Sequence, residues 1–152
     1  MYFLFPERLF PFISVEICGL PIVALSAIIN TMRYFKTKDL KKWARRERVT
    51  DVHLMQVYAE FIEGLYEADL GNGLFKKRIG LGNKGKSGGG RIILFYKIDD
   101  AVVFCMGYSK SEKDNITQEE KDHLKVLADL FRSFNDKKYD LAVEKEVLFE
   151  IE

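Results

Sequence analysis

The chain contains few of the residues from which disulfide frameworks and metal centres are built. Its 152 residues include two cysteines, Cys18 and Cys105, and two histidines, His53 and His123. Two widely spaced cysteines cannot form a disulfide framework, and no Cys or His spacing is typical of a zinc site. We therefore expect no metal and no cofactor, and a reducing cytoplasm as the compartment.

Internal repeats and low-complexity tracts are also absent. The hydrophobic content of 47% and the charged content of 31% are those of a globular protein with one ordinary domain. Charge is unevenly distributed, because residues 33–117 carry 17 Lys and Arg against 11 Asp and Glu, whereas residues 118–152 carry 6 against 10. A basic body with an acidic tail favours a polyanionic partner.

Residues 1–31 differ in composition from the rest of the chain. They are almost wholly apolar from Leu9 to Ile29, with Glu16 and Pro21 interrupting a run that approaches the length of a membrane span. The segment can be interpreted as a membrane anchor, as an added packing segment, or as upstream DNA translated from a start codon set too early. We favour the third interpretation and predict one domain over residues 32–152, with no membrane contact unless residues 1–31 are a real anchor.

Carboxylates are missing from the stretch between Lys76 and Arg91. This stretch carries only positive charge, on Lys76, Lys77, Arg78, Lys84, Lys86 and Arg91. Residues 74–81 and 91–96 have strand composition, and the Gly-rich segment between them predicts a hairpin connection. Such a hairpin would attract an anion, most commonly phosphate. A merely solvated strand face explains the charges about equally well at this point.

Strand alternation divides these cations between two faces. Lys76 and Arg78 share one face, and Phe75, Lys77 and Ile79 share the other. If Phe75 and Ile79 pack into a core, Lys77 must run its stem along that core and bring its amine out to water. Lys76 and Arg78 are then free to face a ligand, with Arg91 on the next strand as a third member.

The remaining pattern predicts an α+β fold. The elements, in chain order, are an edge strand at 33–38, a helix with Asp39 as its N-cap, a helix after Thr50, a loop at 66–72, the hairpin, a central strand at 101–108, a helix capped by Thr117 and Glu120, a short helix at 139–145, and a strand or ordered tail at 147–151.

This order of elements, together with four motifs, resembles the RelE/ParE superfamily of toxins, and most closely its RelE/HigB-like branch. The motifs are Tyr-Phe-Lys-Thr-Lys with Lys-Trp-Ala, Ala-Asp-Leu-Gly-Asn-Gly-Leu-Phe-Lys-Lys-Arg-Ile, Gly-Lys-Ser-Gly-Gly-Gly-Arg, and Tyr-Ser-Lys-Ser-Glu-Lys-Asp-Asn-Ile. The resemblance covers residues 33–152. It implies a small RelE-like fold, with an antiparallel-rich sheet packed against N-terminal helices and a C-terminal helix.

The resemblance also implies an activity and its residues. Toxins of this branch are endoribonucleases that cut messenger RNA in the ribosomal A site without a metal, through attack of the 2′-hydroxyl on the adjacent phosphate. The matching catalytic positions are Lys76, Arg78, Arg91 and Lys113, with Lys76 assigned to proton transfer. We expect Lys84, Lys86, Tyr108 and Lys110 to contact RNA. Thr117 stands where some members have a stacking tyrosine, so Tyr108 either takes that role or is a core or edge tyrosine.

Two other functions remain open from the sequence. The chain could act as a non-enzymatic inhibitor, like the ParE-type toxins that act on DNA gyrase, or as an inactive module that binds RNA or the ribosome. The four clustered cations argue against inhibition of DNA gyrase, because such an inhibitor needs no catalytic cations. The expected partners are the ribosome, messenger RNA and a cognate protein antitoxin with acidic side chains complementary to the basic surface.

Overall fold

The computed structural model describes residues 32–82 and 88–152, so the predicted N-terminal extension, residues 1–31, lies outside the described residues. The described chain forms the following elements: β1 (Arg33–Thr37), α1 (Lys38–Glu47), α2 (Asp51–Ile62), β2 (Ala68–Gly71), β3 (Leu74–Ile79), β4 (Gly90–Lys97), β5 (Ala101–Ser109), α3 (Gln118–Arg132), α4 (Asp136–Glu144) and β6 (Leu148–Glu150). The predicted α+β class is confirmed.

All six strands belong to one mixed sheet with the order β2-β3-β4-β5-β1-β6. Strands β2 to β5 are consecutive antiparallel neighbours, β1 runs parallel to β5, and β6 runs antiparallel to β1. The apolar strand β5 is therefore internal, as its composition predicts, since a strand buried on both faces needs apolar side chains on both.

Two predictions about strands are wrong. β1 is not an edge strand, because β6 covers its outer side with Phe35 opposite Glu150. The segment at 66–72 is not only a loop, because β2 forms there and pairs with β3. β2 has weak intrinsic strand preference, with Asp and Gly in four residues, so the pairing with β3 decides its conformation.

Two of the first three helix starts follow the capping signals in the sequence, whereas α1 begins earlier than predicted because Thr37, and not Asp39, is its N-cap. Thr37, Thr50 and Thr117 are the N-caps of α1, α2 and α3, each accepting a hydrogen bond from a backbone N–H in the first turn. The predicted capping box of Thr117 with Glu120 is confirmed. His53 closes a similar box with Thr50, which gives this exposed histidine a structural role.

The helices cover the two faces of the sheet and bury one apolar core on each. On the first face, α1 and α2 pack Leu40, Trp43 and Phe61 against sheet residues such as Ile92 and Phe104. Gly107 permits this packing, because a Cβ there would lie 2.2 Å from the ring of Trp43. No helix among the described residues has the length and apolarity to cross a membrane.

On the second face, α3 and α4 pack Leu124, Phe131 and Tyr139 against sheet residues that include Ile93 and Val103. The two faces therefore have separate helix layers. This division decides which helix layer the cations within β3 and β4 face.

Lys77 lies on the α1–α2 face, as alternation predicts, but its amine does not reach water. The side chain is 5% exposed, and its Nζ lies 2.5 Å from Oε2 of Glu60 on α2. A buried ammonium needs a counter-charge, and α2 provides one within reach of the strand. Lys77 is therefore a structural residue that joins α2 to the sheet.

Candidate functional site

Three cations of the hairpin, Lys76, Arg78 and Arg91, lie together on the α3 face of the sheet. Arg78 on β3 is directly opposite Arg91 on β4, and Arg91 is directly opposite Tyr108 on β5. Lys76 precedes Arg78 by two residues and so shares its face. The register brings together Lys76, Arg78 and Arg91, which we call the cation cluster.

A carboxylate that the sequence analysis did not identify lies among these cations. Oε2 of Glu67 is 2.6 Å from Nε of Arg91 and 3.9 Å from Nζ of Lys76, and Oε1 is 3.4 Å from a terminal nitrogen of Arg78. The backbone N–H of Glu67 also donates to the carbonyl of Lys76 at 2.8 Å. Glu67 immediately precedes β2, so the pairing of β2 with β3 positions its carboxylate.

The exposures of the three cations differ widely. The Arg91 side chain is 4% exposed, whereas the Arg78 side chain is 51% exposed. Arg91 also donates to the carbonyl of Gly90 at 3.1 Å. A buried guanidinium with two acceptors is fixed in position, so Arg91 is the rigid member of the cluster and Arg78 is the one most accessible to a ligand.

Glu67 is ionised in this environment. Partial burial opposes its ionisation, but the hydrogen bond from Arg91 and the charges of Lys76, Arg91 and Arg78 outweigh it and hold the pKa of Glu67 below its ordinary value. Three cations and one carboxylate leave a local charge of about +2, so the cluster can still attract an anion.

Lys113 contacts Tyr108, which is in turn the cross-strand neighbour of Arg91 in the cation cluster. Its amine is 5.1 Å from the centroid of the Tyr108 ring and forms an ion pair with Glu120 at the start of α3. Because Tyr108 is the cross-strand neighbour of Arg91, all four candidate catalytic residues lie on the same face of the sheet.

Tyr108 itself does not present a ring for stacking on a base. It is 1% exposed, and its hydroxyl is buried without a hydrogen-bond partner among the described residues. Burial raises the pKa of Tyr108, with Arg91 opposing that rise and Glu67 and Glu120 adding to it, so the hydroxyl keeps its proton. Tyr108 is therefore a core tyrosine, the alternative to stacking, because α3 and the sheet enclose its ring.

Tyr66, which precedes Glu67 in the chain, is an exposed aromatic residue that the sequence analysis did not single out. Its residue surface is 42% exposed, and its ring contacts that of Phe75 edge-on with 5.0 Å between centroids. Leu65, Tyr66, Glu67, Lys77 and Arg78 together line a depression of about 360 Å³. The ring also contacts Phe61 on α2, with 5.7 Å between centroids, so it packs on the α1–α2 face.

Lys84, Lys86 and Lys110 are the other residues predicted to contact RNA. Lys84 and Lys86 lie outside the described residues. Lys110 is exposed, and its backbone N–H donates to the carbonyl of Gly89 at 3.0 Å. Thr117 uses its side chain to cap α3. Over residues 32–82 and 88–152, no group of three or more His, Cys, Asp or Glu side chains could hold a metal ion.

The fold and the site together define a small α+β protein with a cluster of cations around one carboxylate on a mixed sheet. The sequence model of one family, described as the RelE toxin of the RelE/RelB toxin–antitoxin system, matches residues 32–151. The chain therefore belongs to the RelE toxin family, whose toxins pair with a protein antitoxin. A search of curated proteins finds no match.

We predict that Glu67→Gln lowers the free energy of unfolding at pH 7 by about 1.5–3 kcal/mol, the usual size of a lost hydrogen bond to a charged group. The folded-state pKa of Glu67 is depressed, so its stabilisation is complete above the ordinary pKa of about 4.3 and disappears as pH falls through the folded-state value. The difference from wild type should therefore shrink between pH 7 and pH 3.

Denaturant unfolding across this pH range measures the difference. Glu63→Gln, at an exposed position after α2, is the matched control and should change stability little at any pH. If the difference in free energy of unfolding between Glu67→Gln and wild type were the same at pH 3 as at pH 7, the assigned ion pairs of Glu67 would be contradicted.

Proposed function

We propose that this toxin is a ribosome-dependent endoribonuclease that cleaves messenger RNA and so inhibits translation. The observation that supports the proposal most strongly is the convergence of Lys76, Arg78 and Arg91 on one carboxylate. Oxygens of a carboxylate and of a phosphate accept hydrogen bonds from the same guanidinium and ammonium groups. A site that holds Glu67 in this way has its donors arranged for a phosphate.

The proposed reaction is attack of the 2′-hydroxyl on the adjacent phosphate. A bond forms between the 2′ oxygen and phosphorus, the bond to the 5′ oxygen breaks, and the products carry a 2′,3′-cyclic phosphate and a 5′-hydroxyl. Charge accumulates on the phosphorus oxygens in the transition state, where the accessible Arg78 contacts them and the buried Arg91 adds its positive charge from within the sheet. Donors that are already held in place need little reorganisation when that charge develops.

Two proton transfers accompany this reaction. The 2′-hydroxyl must lose a proton, and the leaving 5′ oxygen must gain one. Lys76 and Glu67, with 3.9 Å between Nζ and Oε2, supply one group that donates and one that accepts. We assign proton transfer to this pair and charge stabilisation to the two arginines. Lys113, beside Tyr108, adds a fourth positive charge.

The test of the function is induction of the protein in a bacterial host, with mapping of new 5′ ends on a reporter message. We expect growth arrest and cuts within translated codons, and an intact reporter when its start codon is removed. Arg78→Ala should reduce cleavage at least about 100-fold, the usual effect of losing one transition-state donor. Because Arg78 is half exposed, its loss should change the free energy of unfolding by no more than about 0.5 kcal/mol.

Arg45→Ala is the matched control, since Arg45 is an exposed arginine on α1, on the opposite face of the sheet. It should remain as toxic as wild type. A folded Arg78→Ala variant that still cuts at the wild-type rate would overturn the nuclease assignment, as would growth arrest with the message intact.

We further propose that Tyr66 stacks on a base of the bound RNA, in the role once expected of Tyr108. Tyr66 lines one depression with Glu67 and Arg78, and its partly exposed ring is held at one side of that depression by Phe61 and Phe75. Tyr66→Ala should lower kcat/KM for cleavage about tenfold, within the range of about 1–3 kcal/mol for one stacked base. Tyr66→Phe keeps the ring and should keep the activity.

The kcat/KM of both variants is measured from steady-state cleavage of messenger RNA on purified ribosomes. The free energy of unfolding of each variant is measured in parallel. If Tyr66→Phe loses as much activity as Tyr66→Ala, the hydroxyl rather than the ring is the active group. If neither variant changes kcat/KM, the base binds elsewhere.

A further inference from the structure

A large groove runs between α3 and the strand β5 and has a volume of about 750 Å³. Its apolar lining comes from Met106 on β5 and from Leu124, Val126 and Leu127 on α3. Val126 is 66% exposed, although it borders an apolar concavity. A groove of this size beside a helix fits the apolar side of another protein segment.

The rim of the groove is acidic. Asp39 at the start of α1 contributes a carboxylate from one side, and Glu119 and Asp122 contribute carboxylates from α3. No Lys or Arg lines the groove within residues 32–82 and 88–152. Its charge is therefore opposite to that of the cation cluster, so an occupant should carry basic side chains beside its apolar ones.

The groove extends to the candidate site. Glu120 is one of its lining residues and is also the ion-pair partner of Lys113. An occupant of the groove would therefore lie next to a candidate catalytic lysine. Glu120 therefore provides a contact through which an occupant of the groove can affect Lys113 in the candidate site.

We propose that the groove is the docking site for an amphipathic segment of the cognate antitoxin, with apolar side chains that fill the groove and Lys or Arg side chains that pair with Asp39, Glu119 and Asp122. Membership of the toxin family supplies the partner, and the charge of the rim supplies the chemistry. This differs from the expectation from sequence, which was an acidic antitoxin covering the cations. The proposal does not depend on the nuclease assignment, because any toxin of this family must be neutralised.

Two substitutions at exposed positions test the groove. Val126→Lys places a charge in the apolar part, and Asp122→Lys reverses a charge on the rim. The matched controls are Leu141→Lys and Glu144→Lys, at exposed positions on α4 that do not line the groove. Circular dichroism and thermal melting establish that each variant is folded.

The full-length toxin is expressed with the product of its antitoxin gene, and the Kd of the purified pair is measured. Each groove variant should weaken binding at least tenfold, whereas the controls stay within threefold of wild type. In growth assays, a groove variant that remains toxic should no longer be neutralised by the antitoxin. The binding measurement does not require toxicity, so it distinguishes failure of this proposal from failure of the nuclease assignment.

Unchanged Kd values for both groove variants would overturn the proposal. It would also be overturned if hydrogen exchange of the complex showed protection only around Lys76, Arg78 and Arg91. A third contradicting result would be a homodimer of the toxin alone that the groove variants dissociate, because the occupant would then be a second copy of this chain.

Discussion

The Glu67 carboxylate holds together the charged part of the sheet. Arg91 is nearly inaccessible to water, and a buried guanidinium without a counter-charge is strongly destabilising. Glu67 supplies that counter-charge and at the same time contacts Lys76 and Arg78. The position of Glu67 depends in turn on β2, whose pairing with β3 brings a residue from before the hairpin next to the hairpin's cations.

This arrangement accounts for how a protein can concentrate cations on one face and remain folded. Three like charges on neighbouring strands repel one another, and one carboxylate reduces that repulsion without cancelling the positive field. The buried Arg91 is fixed and the exposed Arg78 is accessible, so the cluster combines a rigid donor with one that a substrate can reach. Lys77 lies between Lys76 and Arg78 in the chain but points to the other face of the sheet. There its charge is compensated by the ion pair with Glu60.

Much of this arrangement follows from local rules in the sequence. Strand alternation places Lys76 and Arg78 on one face, and Thr50 and Thr117 mark where α2 and α3 begin. The contacts that the sequence analysis missed are non-local. Glu67 joins residues that lie 9 to 24 positions along the chain, through a strand too short and too polar to be predicted from composition. The burial of Tyr108 and the covering of β1 by β6 depend on how α3, α4 and the C-terminal segment pack, which periodicity alone does not determine.

The cation cluster and the acidic groove both lie on the α3 side of the sheet. The cation cluster is suited to a phosphate, and the acidic groove along α3 is suited to a basic amphipathic segment, with Glu120 and Lys113 between them. The proposed cleavage of RNA depends on the cation cluster. The most direct measurement adds the purified protein to ribosomes programmed with a defined message and determines the chemical ends of the fragments. The account predicts a 2′,3′-cyclic phosphate on one fragment and a 5′-hydroxyl on the other, both lost with Arg78→Ala. Fragments with a 5′-phosphate, or no cleavage by the folded wild-type protein, would contradict it.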